Sequence, residues 1–452
     1  MSRGKKKNKD EVVTRVEKHN INPNHELYKF CDDICFKTKN LYNYGNYQVR
    51  QGFILASKLE KEGELSEEEY LRFVELNTKI TTANDVKNRN IKLISKEHKF
   101  IGYQDLDKII QKDFDYKELL AQVSQQTLRQ LEQDWKSFFT SIKDWKKNPS
   151  KYTGRPNLPK YKKKDGRTIA IMTKVCAKIE DNELIFPKSL KLPNLKTNIT
   201  GNLQQVRIVP KGNIYTIEIV YDIPKVELYP NIERVVGIDL GLNNFATLTN
   251  NLGHQPMIIN GKPLKSINQY YNKKKAFLTS ELMKSQDKSW SKKLSKLTLR
   301  RNNLISDYIH KSSRIVVNYA LSINADTIVI GNNKHWKKEI NMGKKNNQNF
   351  VSIPFSTFIE QIKYKANAVG IKVIVTEEGY TSKCSFLDLE DVCKQENYLG
   401  KRVKRGLFRS SKGVFINADV NGSYNIIRKV VPASSLQGIE DFGLNPFKVN
   451  VV

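Results

Sequence analysis

The sequence has no long apolar run and few cysteines. No segment approaches the roughly 18 consecutive apolar residues that a membrane-spanning helix needs, so we expect no membrane span and no membrane partner. The segment Met1 to Lys7 is basic and has no apolar stretch behind it, which argues against a secretory signal. The five cysteines are an odd number, which is typical of a protein from a reducing cytoplasm rather than of a disulfide-stapled secreted protein.

Acidic residues are also scarce relative to basic ones. The chain has 77 Lys and Arg against 47 Asp and Glu, a formal charge of +30. A surplus of this size is costly in self-repulsion unless a polyanion neutralises it, so nucleic acid is the first candidate partner. Net charge alone would place an anionic membrane surface second. The hydrophobic content of 39% indicates a folded protein, and 452 residues suggest two or three domains.

One carboxylate interrupts a strongly apolar run just after the midpoint of the chain. Val235 to Leu240 is too apolar for a surface strand and is typical of a buried central strand that ends in a turn. Asp239 lies inside it. A buried carboxylate is costly unless it is paired or bound to a metal, so two interpretations stay open here: an Asp bonded to the following turn, or a Mg²⁺ ligand.

The N-terminal half combines helices with short strands. Residues 24–148 are typical of a helical insertion, in which the clearest helix covers Leu119 to Trp145. Several short strands separated by turn residues follow between Thr168 and Asp222, which predicts a small β-barrel or sheet domain. A strand at Glu11 to Lys18 is a candidate to complete that domain.

A basic segment connects these two parts. Lys143 to Arg167 has ten Lys and Arg against two Asp, interleaved with prolines and tyrosines. Such an extended, cationic and aromatic stretch suits phosphate contacts and base stacking, although a solvated surface loop is the alternative. The predicted nucleic-acid contacts here and on a later basic helix are Lys143, Lys146, Lys147, Lys151, Arg155, Lys160, Tyr161, Lys162, Lys163, Lys164, Arg300 and Arg301.

The C-terminal half predicts an α/β domain of ribonuclease-H type. A meander after the strand at 235–240 leads into a basic helical region at 263–324, a buried strand at 327–331 and a helix at 355–368. A third buried strand covers 372–378, and a last helix follows Asn417. Acids at adjacent strand ends in such a sheet could hold two Mg²⁺ or Mn²⁺ ions for hydrolysis of a phosphodiester.

Three motifs resemble the TnpB proteins of bacterial insertion sequences over about residues 20–430. The run 236–241 with Phe245-Ala246 resembles their first RuvC motif, 380–385 their Thr-Ser-rich segment, and 417–425 their third RuvC motif. The resemblance implies an RNA-guided DNA endonuclease with one RuvC site. It further implies a guide RNA from the transposon end, a double-stranded DNA target and a bacterial cytoplasmic protein that joins the nucleoid when bound.

The resemblance also implies a domain division. A wedge-like β domain would comprise 1–23 and 149–230, with a helical recognition domain at 24–148. The RuvC nuclease domain would comprise 231–380 and 411–435, a degenerate zinc-ribbon-like insertion 381–410, and a tail 436–452.

Two positions depart from the family pattern. The strand that should end in a catalytic Glu ends here in Gly331, and we expect Glu378, from the neighbouring strand, to replace it. Glu377 should point to the opposite face, and Asp326 and Glu339 are weaker substitutes. The alternative is that Glu378 has no catalytic role and is a strand-end acid paired with a lysine.

The second departure concerns zinc. The family pattern needs two Cys-x-x-Cys pairs, but Leu387 occupies the paired position after Cys384, and Cys393 stands alone. We therefore expect no structural Zn²⁺.

Three functions remain to be weighed. The first is an active nuclease that uses Asp239, Glu378 and Asp419 as catalytic metal ligands. The second is an RNA-guided DNA-binding repressor that has lost cleavage, which Gly331 motivates. A conventional strand-transfer transposase ranks below both, because the resemblance is to a protein that does not join strands.

Overall fold

A computed structural model describes residues 11–84, 92–229, 231–286, 290–332, 352–432 and 445–451. The chain divides into two compact units, Met1–Pro224 and Lys225–Val452. The predicted position Glu339 and the basic residues 1–10 lie outside the described residues. Within the described part, no helix is long and apolar enough to cross a membrane.

Unit 1 contains an antiparallel sheet and a smaller one. Its strands are β1 (Val12–Ile21), β2 (Ala170–Thr173), β3 (Lys178–Glu180), β4 (Glu183–Ile185), β5 (Leu195–Lys196), β6 (Asn202–Lys211) and β7 (Ile214–Pro224). The sheets have the orders β1-β7-β6-β2 and β3-β4-β5. The prediction that the N-terminal strand joins this domain is confirmed, because β1 pairs along its whole length with β7. The predicted barrel is not confirmed, because in the described part both sheets are open.

The helices of unit 1 pack around one aromatic core. They are α1 (Tyr28–Glu62), α2 (Glu67–Asn84), α3 (Tyr103–Ile110), α4 (Phe114–Lys117) and α5 (Ala121–Lys147). Trp135 of α5 is fully buried, and its ring lies 5.4 Å from that of Phe53 on α1 and 5.9 Å from that of Phe100. The helical spacing of apolar residues in α5 thus produced the stripe that the sequence predicted.

Unit 2 is built on a six-stranded mixed sheet of order β12-β11-β8-β9-β10-β16. Its strands are β8 (Val235–Leu240), β9 (Asn244–Asn250), β10 (Met257–Asn260), β11 (Thr327–Gly331), β12 (Lys372–Thr376) and β16 (Phe447–Val449). Strands β8, β9 and β10 form an antiparallel meander, while β11 and β12 run parallel to β8. The mixed α/β architecture is confirmed. One expectation is wrong: β12 is an edge strand and only partly buried, whereas the sequence predicted a buried one.

Helices cover both faces of this sheet. They are α6 (Lys262–Gln286), α7 (Lys292–Ser322), α8 (Phe355–Asn367) and α9 (Ala418–Arg428). Because successive side chains of a strand point to opposite faces, Val236 and Ile238 of β8 join the core under α7 and α8, while Val235 joins the core under α9. Asp239 has the same parity as Val235 and therefore faces α9. A small sheet of β13 (Lys401–Lys404), β14 (Leu407–Arg409) and β15 (Phe415–Asn417) precedes α9.

Candidate active site

Asp239 lies where α9 crosses β8 at very short range. A Cβ on Gly237 would stand 2.5 Å from Ile427 Cγ1 and 2.6 Å from the Ser423 carbonyl oxygen, so only glycine permits this approach. A Cβ on Gly422 of α9 would stand 3.1 Å from Asp239 Oδ2. The half-buried carboxylate is therefore pressed against the backbone of the helix.

Asp419 is held at the first turn of α9. The side chain of Asn417 caps the helix by accepting hydrogen bonds from the backbone N–H groups of Asp419 at 2.9 Å and Val420 at 3.3 Å. Asp419 Oδ2 accepts a hydrogen bond of 2.7 Å from the Asn244 side chain, and Arg402 Nη2 lies 3.6 Å from Oδ1. The third motif thus delivers a half-buried carboxylate at a helix N-terminus, where negative charge is stabilised.

Glu378 occupies the space that Gly331 leaves free. The prediction that their strands are neighbours is confirmed, since Gly331 pairs with Thr376 in the parallel ladder of β11 and β12. A Cβ on Gly331 would stand 2.6 Å from Glu378 Cγ, 2.9 Å from its Oε1 and 2.5 Å from Ile426 Cδ1. Any side chain at position 331 would therefore displace Glu378 or the helix. Glu377 is exposed, whereas Glu378 is half-buried.

Burial raises the pKa values of two of these carboxylates, Asp239 and Glu378. Burial raises the pKa of Asp239 well above its ordinary value, and the charges of Glu378 and Asp419 raise it further, while Arg402 opposes the shift. Burial raises the pKa of Glu378 to about 7, against an opposing effect of Lys429. Without a further cation, the site therefore retains protons that ordinary carboxylates would release.

Helix α9 also holds the turn that follows Glu378. Asn425 donates hydrogen bonds to the carbonyl oxygens of Thr381 at 3.0 Å and Cys384 at 2.8 Å. Asn421 donates to the Cys384 carbonyl oxygen at 2.9 Å and accepts from the backbone N–H of Phe386, also at 2.9 Å. All these bonds are buried, so α9 carries Asp419 and positions the segment leading away from Glu378.

The donor chemistry of the site suits a hard divalent cation. Carboxylate oxygens are the ligands that Mg²⁺ and Mn²⁺ prefer, and one carboxylate comes from each of three elements that meet here. Within the described ranges, however, no group of three or more His, Cys, Asp and Glu side chains has the spacing to hold a metal ion. Binding would require the three carboxylates to draw closer together.

Asp326, one of the two weaker substitutes, does not join this cluster. Asp326 immediately precedes β11, at the opposite end from Gly331, and accepts hydrogen bonds from the backbone N–H groups of Glu233 and Arg234. In the insertion, Cys384 is buried and its Sγ lies 3.5 Å from the Cys393 carbonyl oxygen, whereas the Cys393 side chain is exposed. The zinc expectation remains a prediction.

Part of the predicted basic segment lies along α1. Asn46 and Arg50 donate hydrogen bonds to the Pro159 carbonyl oxygen, Asn43 bonds both the N–H and the carbonyl of Lys162, and Lys39 donates to the Lys164 carbonyl oxygen. These backbone bonds leave the side chains free to point outward. Exposed among the predicted contacts are Lys143, Lys146, Lys147, Lys151, Arg155, Lys160, Tyr161, Lys163, Lys164 and Arg300.

Among the described residues, four of the predicted contacts have partners within the protein. Lys151 Nζ lies 3.7 Å from Asp144 Oδ1, and the Arg50 guanidinium lies 5.1 Å from the centre of the Tyr161 ring. The Lys162 ammonium lies 4.4 Å from the centre of the Tyr42 ring. Arg301 donates hydrogen bonds to Asn268 Oδ1 and to the Ser352 carbonyl oxygen. The role of all twelve residues in nucleic-acid binding stays a prediction.

Sequence reasoning did not single out several neighbours of the acids. Arg402 and Lys429 supply positive charge, and Asn244 bonds Asp419. Asn421 and Gly422 stood in the third motif, so their positions were visible although their contacts were not. Arg402 gave no signal, because one arginine in a basic insertion is indistinguishable from its neighbours.

Two family models match the chain. Residues 218–337 match the OrfB_IS605 model, described as a probable transposase, and residues 355–426 match the Cas12f1-like TNB domain. A curated relative is the TnpB-like protein ORF457 of Acidianus two-tailed virus, which is 24% identical over 374 residues, covering 70% of this chain and 74% of that protein.

Solved structures with a partial likeness include two RNA-guided effectors. A Cas12f1 complex with single-guide RNA and target DNA has a TM-score of 0.47 at 13% identity, covering 92% of this chain and 98% of that one. The mini-RNA-guided endonuclease Cas_phi3 has a TM-score of 0.41 at 11% identity, covering 92% of each chain. Both TM-scores are below 0.5, so the similarity to the TnpB proteins rests on the sequence matches and the motifs.

Proposed function

We propose that the protein is an RNA-guided DNA endonuclease with a single metal-dependent site formed by Asp239, Glu378 and Asp419. The observation that carries this proposal is the occupation of the Gly331 space by Glu378, which supplies a third carboxylate on the α9 side of the sheet. The matches to the probable transposase family and to the Cas12f1-like domain support the same activity.

The residues of the site are suited to hold and release cations. Asp239 and Glu378 keep raised pKa values because burial opposes the ionisation of both, and the charges of Glu378 and Asp419 further oppose that of Asp239. Asp419 is oriented by Asn244 and by the cap of α9. We propose that all three would hold two Mg²⁺ or Mn²⁺ ions, which in such sites activate a water and stabilise the leaving oxygen of a phosphodiester.

The positive charge of the chain fits the guide RNA and the double-stranded target. In RNA-guided recognition, base pairing reads the sequence, while the protein contacts the backbones through its cations. The exposed lysines of the segment along α1 would provide such contacts. Derivation of the guide from a transposon end is part of the proposal.

One observation favours the alternative of a nuclease-inactive, RNA-guided DNA-binding protein. In the described part of the chain, the acids are not spaced for metal, and Arg402 lies beside Asp419. A site that had lost cleavage could retain its acids paired with that arginine.

A cleavage assay separates the two functions. The protein would be purified with its bound RNA, the RNA sequenced, and a matching labelled duplex incubated with Mg²⁺ or Mn²⁺. We expect cleavage by the wild type, a loss of at least about 100-fold in Glu378→Ala, and unchanged cleavage in the control Glu377→Ala. Duplex binding without cleavage by the wild type would support the inactive alternative, and equal cleavage by Glu378→Ala would remove Glu378 from the site.

A further inference from the structure

Unit 2 contains a cleft between α6 and α7 that the nuclease site does not use. Its volume is about 290 Å³, close to the lower limit of about 300 Å³ for small-molecule sites, so it suits one planar group rather than a long peptide. Its walls are mainly apolar and aromatic. They include Ile267, Tyr270, Tyr271, Leu297, Arg300 and Leu304.

One wall of the cleft is rigid. The Arg301 guanidinium donates to Asn268 Oδ1 at 2.6 and 2.8 Å and to the Ser352 carbonyl oxygen at 2.7 Å. It lies 5.7 Å from the centre of the Tyr271 ring, whose hydroxyl is 3.2 Å from Thr298 Oγ1. Arg301 also donates to Asn302 Oδ1 at 3.0 Å, so an incoming phosphate could bind this guanidinium only by breaking several of these four hydrogen bonds.

The opposite wall is open. Tyr270 is 57% exposed and Leu304 is 46% exposed, an unusual position for two large apolar surfaces beside a cleft. Arg300 is also exposed, and neither Tyr270 nor Arg300 has a polar or ring partner among the described residues. The aromatic ring of Tyr270 and the cation of Arg300 are therefore both accessible to a ligand at one edge of the cleft.

The surrounding charge selects the kind of ligand. Helix α6 carries six Lys and Arg against one acid, and α7 carries seven against one acid. The positive charge of α6 and α7 would not strengthen the binding of an apolar peptide. A nucleotide strand supplies both a phosphate for the cations and a flat base for the aromatic ring. A base inside a duplex does not offer its face, so the ligand must be unpaired.

We propose that the α6–α7 cleft binds one unpaired base of a single-stranded nucleic acid, stacked on Tyr270, with the adjoining phosphate on Arg300. Ile267, Leu297 and Leu304 exclude water from the base. Arg301 and Tyr271 form the rigid wall of the cleft. The proposal rests on the proposed function only in taking nucleic acid as the partner, and it requires no cleavage.

The test uses a fluorescein-labelled RNA pentanucleotide and an abasic pentanucleotide of the same length, titrated by anisotropy. We expect Tyr270→Ala to weaken binding of the RNA by about 5- to 150-fold and to leave the abasic oligomer unaffected, because one stacked base contributes about 1–3 kcal/mol. Tyr270→Phe should bind like the wild type. Phe277→Ala is the matched control, since Phe277 is a 60% exposed aromatic of α6 outside the cleft.

Arg300→Gln should lower the slope of log affinity against log salt by about 0.7, the value for one phosphate of a single strand, whereas Tyr270→Ala should leave that slope unchanged. The cleft assignment would be overturned if Tyr270→Ala lost equal affinity for the RNA and for the abasic oligomer. It would also be overturned if Tyr270→Ala and Phe277→Ala lost equal affinity for the RNA. A dimer that Tyr270→Ala dissociates while RNA binding is unchanged would overturn it as well. A wild type that binds neither oligomer would overturn the nucleic-acid partner itself.

Discussion

Gly331 and Glu378 are sterically coupled although they lie 47 positions apart in the chain. Gly331 at the end of β11 has no side chain, and this leaves a space. The Glu378 carboxylate, which follows the end of β12, occupies that space. A carboxylate can thus reach the same place from the neighbouring strand, provided that position 331 stays empty. Moving the glutamate from the end of β11 to the segment after β12 therefore requires two changes: a glutamate at position 378 and a glycine at position 331.

This coupling predicts that Gly331→Ala is harmful. Its Cβ would meet Glu378 Cγ at 2.6 Å and Ile426 Cδ1 at 2.5 Å, so we expect a loss of about 1–3 kcal/mol in the free energy of unfolding and at least about 10-fold in cleavage. The control is Gly154→Ala, since a Cβ there meets nothing within 4 Å. The double variant Gly331→Glu, Glu378→Gly should cut faster than Gly331→Ala, and no difference between them would argue against the exchange.

The raised pKa of Glu378 predicts a pH-dependent stability. The folded protein retains this proton up to about pH 7, whereas an unfolded glutamate releases it near 4.5, so the folded state binds more protons between these values. Stability from this group is therefore fully present below pH 4.5 and is lost as the pH rises to 7. Asp239 acts in the same direction.

Denaturant unfolding of metal-free protein at pH 5 and pH 8 measures this effect. We expect Glu378→Gln to be more stable than the wild type at pH 8, by an amount of the order of 2 kcal/mol, and the difference to shrink at pH 5. Mg²⁺ should stabilise the wild type at pH 8 and the variant less. A constant difference across this pH range would contradict the assigned titration.

Two of the three acids could be anticipated from sequence motifs, and the third from strand order together with the family pattern. Asp239 and Asp419 stand in short motifs whose local structure follows from an apolar strand and a capped helix. Glu378 required the inference that β12 lies beside β11. The steric reason for Gly331 and the approach of Arg402 could not be predicted, because both depend on distances between segments far apart in the chain.

Helix α9 links the acid cluster to the turn after β12. It brings Gly422 against Asp239 and Asp419 toward Asn244, while its inner asparagines hold the carbonyl groups of the turn. A single element therefore positions much of the candidate site, which explains why its motif is the most informative stretch of the sequence.

The turn contacts predict a distinctive effect of Asn425→Ala. Two buried carbonyl groups, of Thr381 and Cys384, would lose a donor, so we expect destabilisation of about 1–3 kcal/mol. Hydrogen exchange should accelerate at residues 381–386 more than in β8. Asn231→Ala, at an exposed asparagine, is the control. Uniform acceleration across unit 2 would mean that the bonds support the fold generally and not this turn.

Strongly periodic or apolar elements were predicted closely, while edges were not. β11 was predicted with the bounds it has, and α5 within two residues at each end. β12 is as apolar as an interior strand, and only its place at the end of the sheet makes it half-exposed. β16 was missed because three residues of a tail gain a strand only by pairing with β10.

The net charge of +30 predicts salt-sensitive binding of nucleic acid. Replacing Lys160, Lys163 and Lys164 together by Gln should lower the slope of log affinity for single-stranded RNA against log salt by about 2, since each phosphate contact contributes about 0.7. Lys58→Gln with Lys79→Gln is the control, because both lysines form ion pairs with glutamates. An equal change of slope in the control would show that only total charge matters.

The whole chain divides at Pro224 into two units, whereas the resemblance predicts three domains, a zinc-ribbon-like insertion and a tail. The finer division stays a prediction, because boundaries inside a compact unit leave no mark in composition or periodicity.

We propose above that Asp239, Glu378 and Asp419 form one metal centre. Anomalous scattering from crystals grown with Mn²⁺ is the sharpest test of this centre, because it locates the ion independently of activity. We predict Mn²⁺ bound by carboxylate oxygens of all three residues at about 2.1 Å, with the ion lost in Glu378→Ala crystals. Mn²⁺ bound by Asp239 and Asp419 with Glu378 turned away, or no Mn²⁺ at these acids, would contradict the claim.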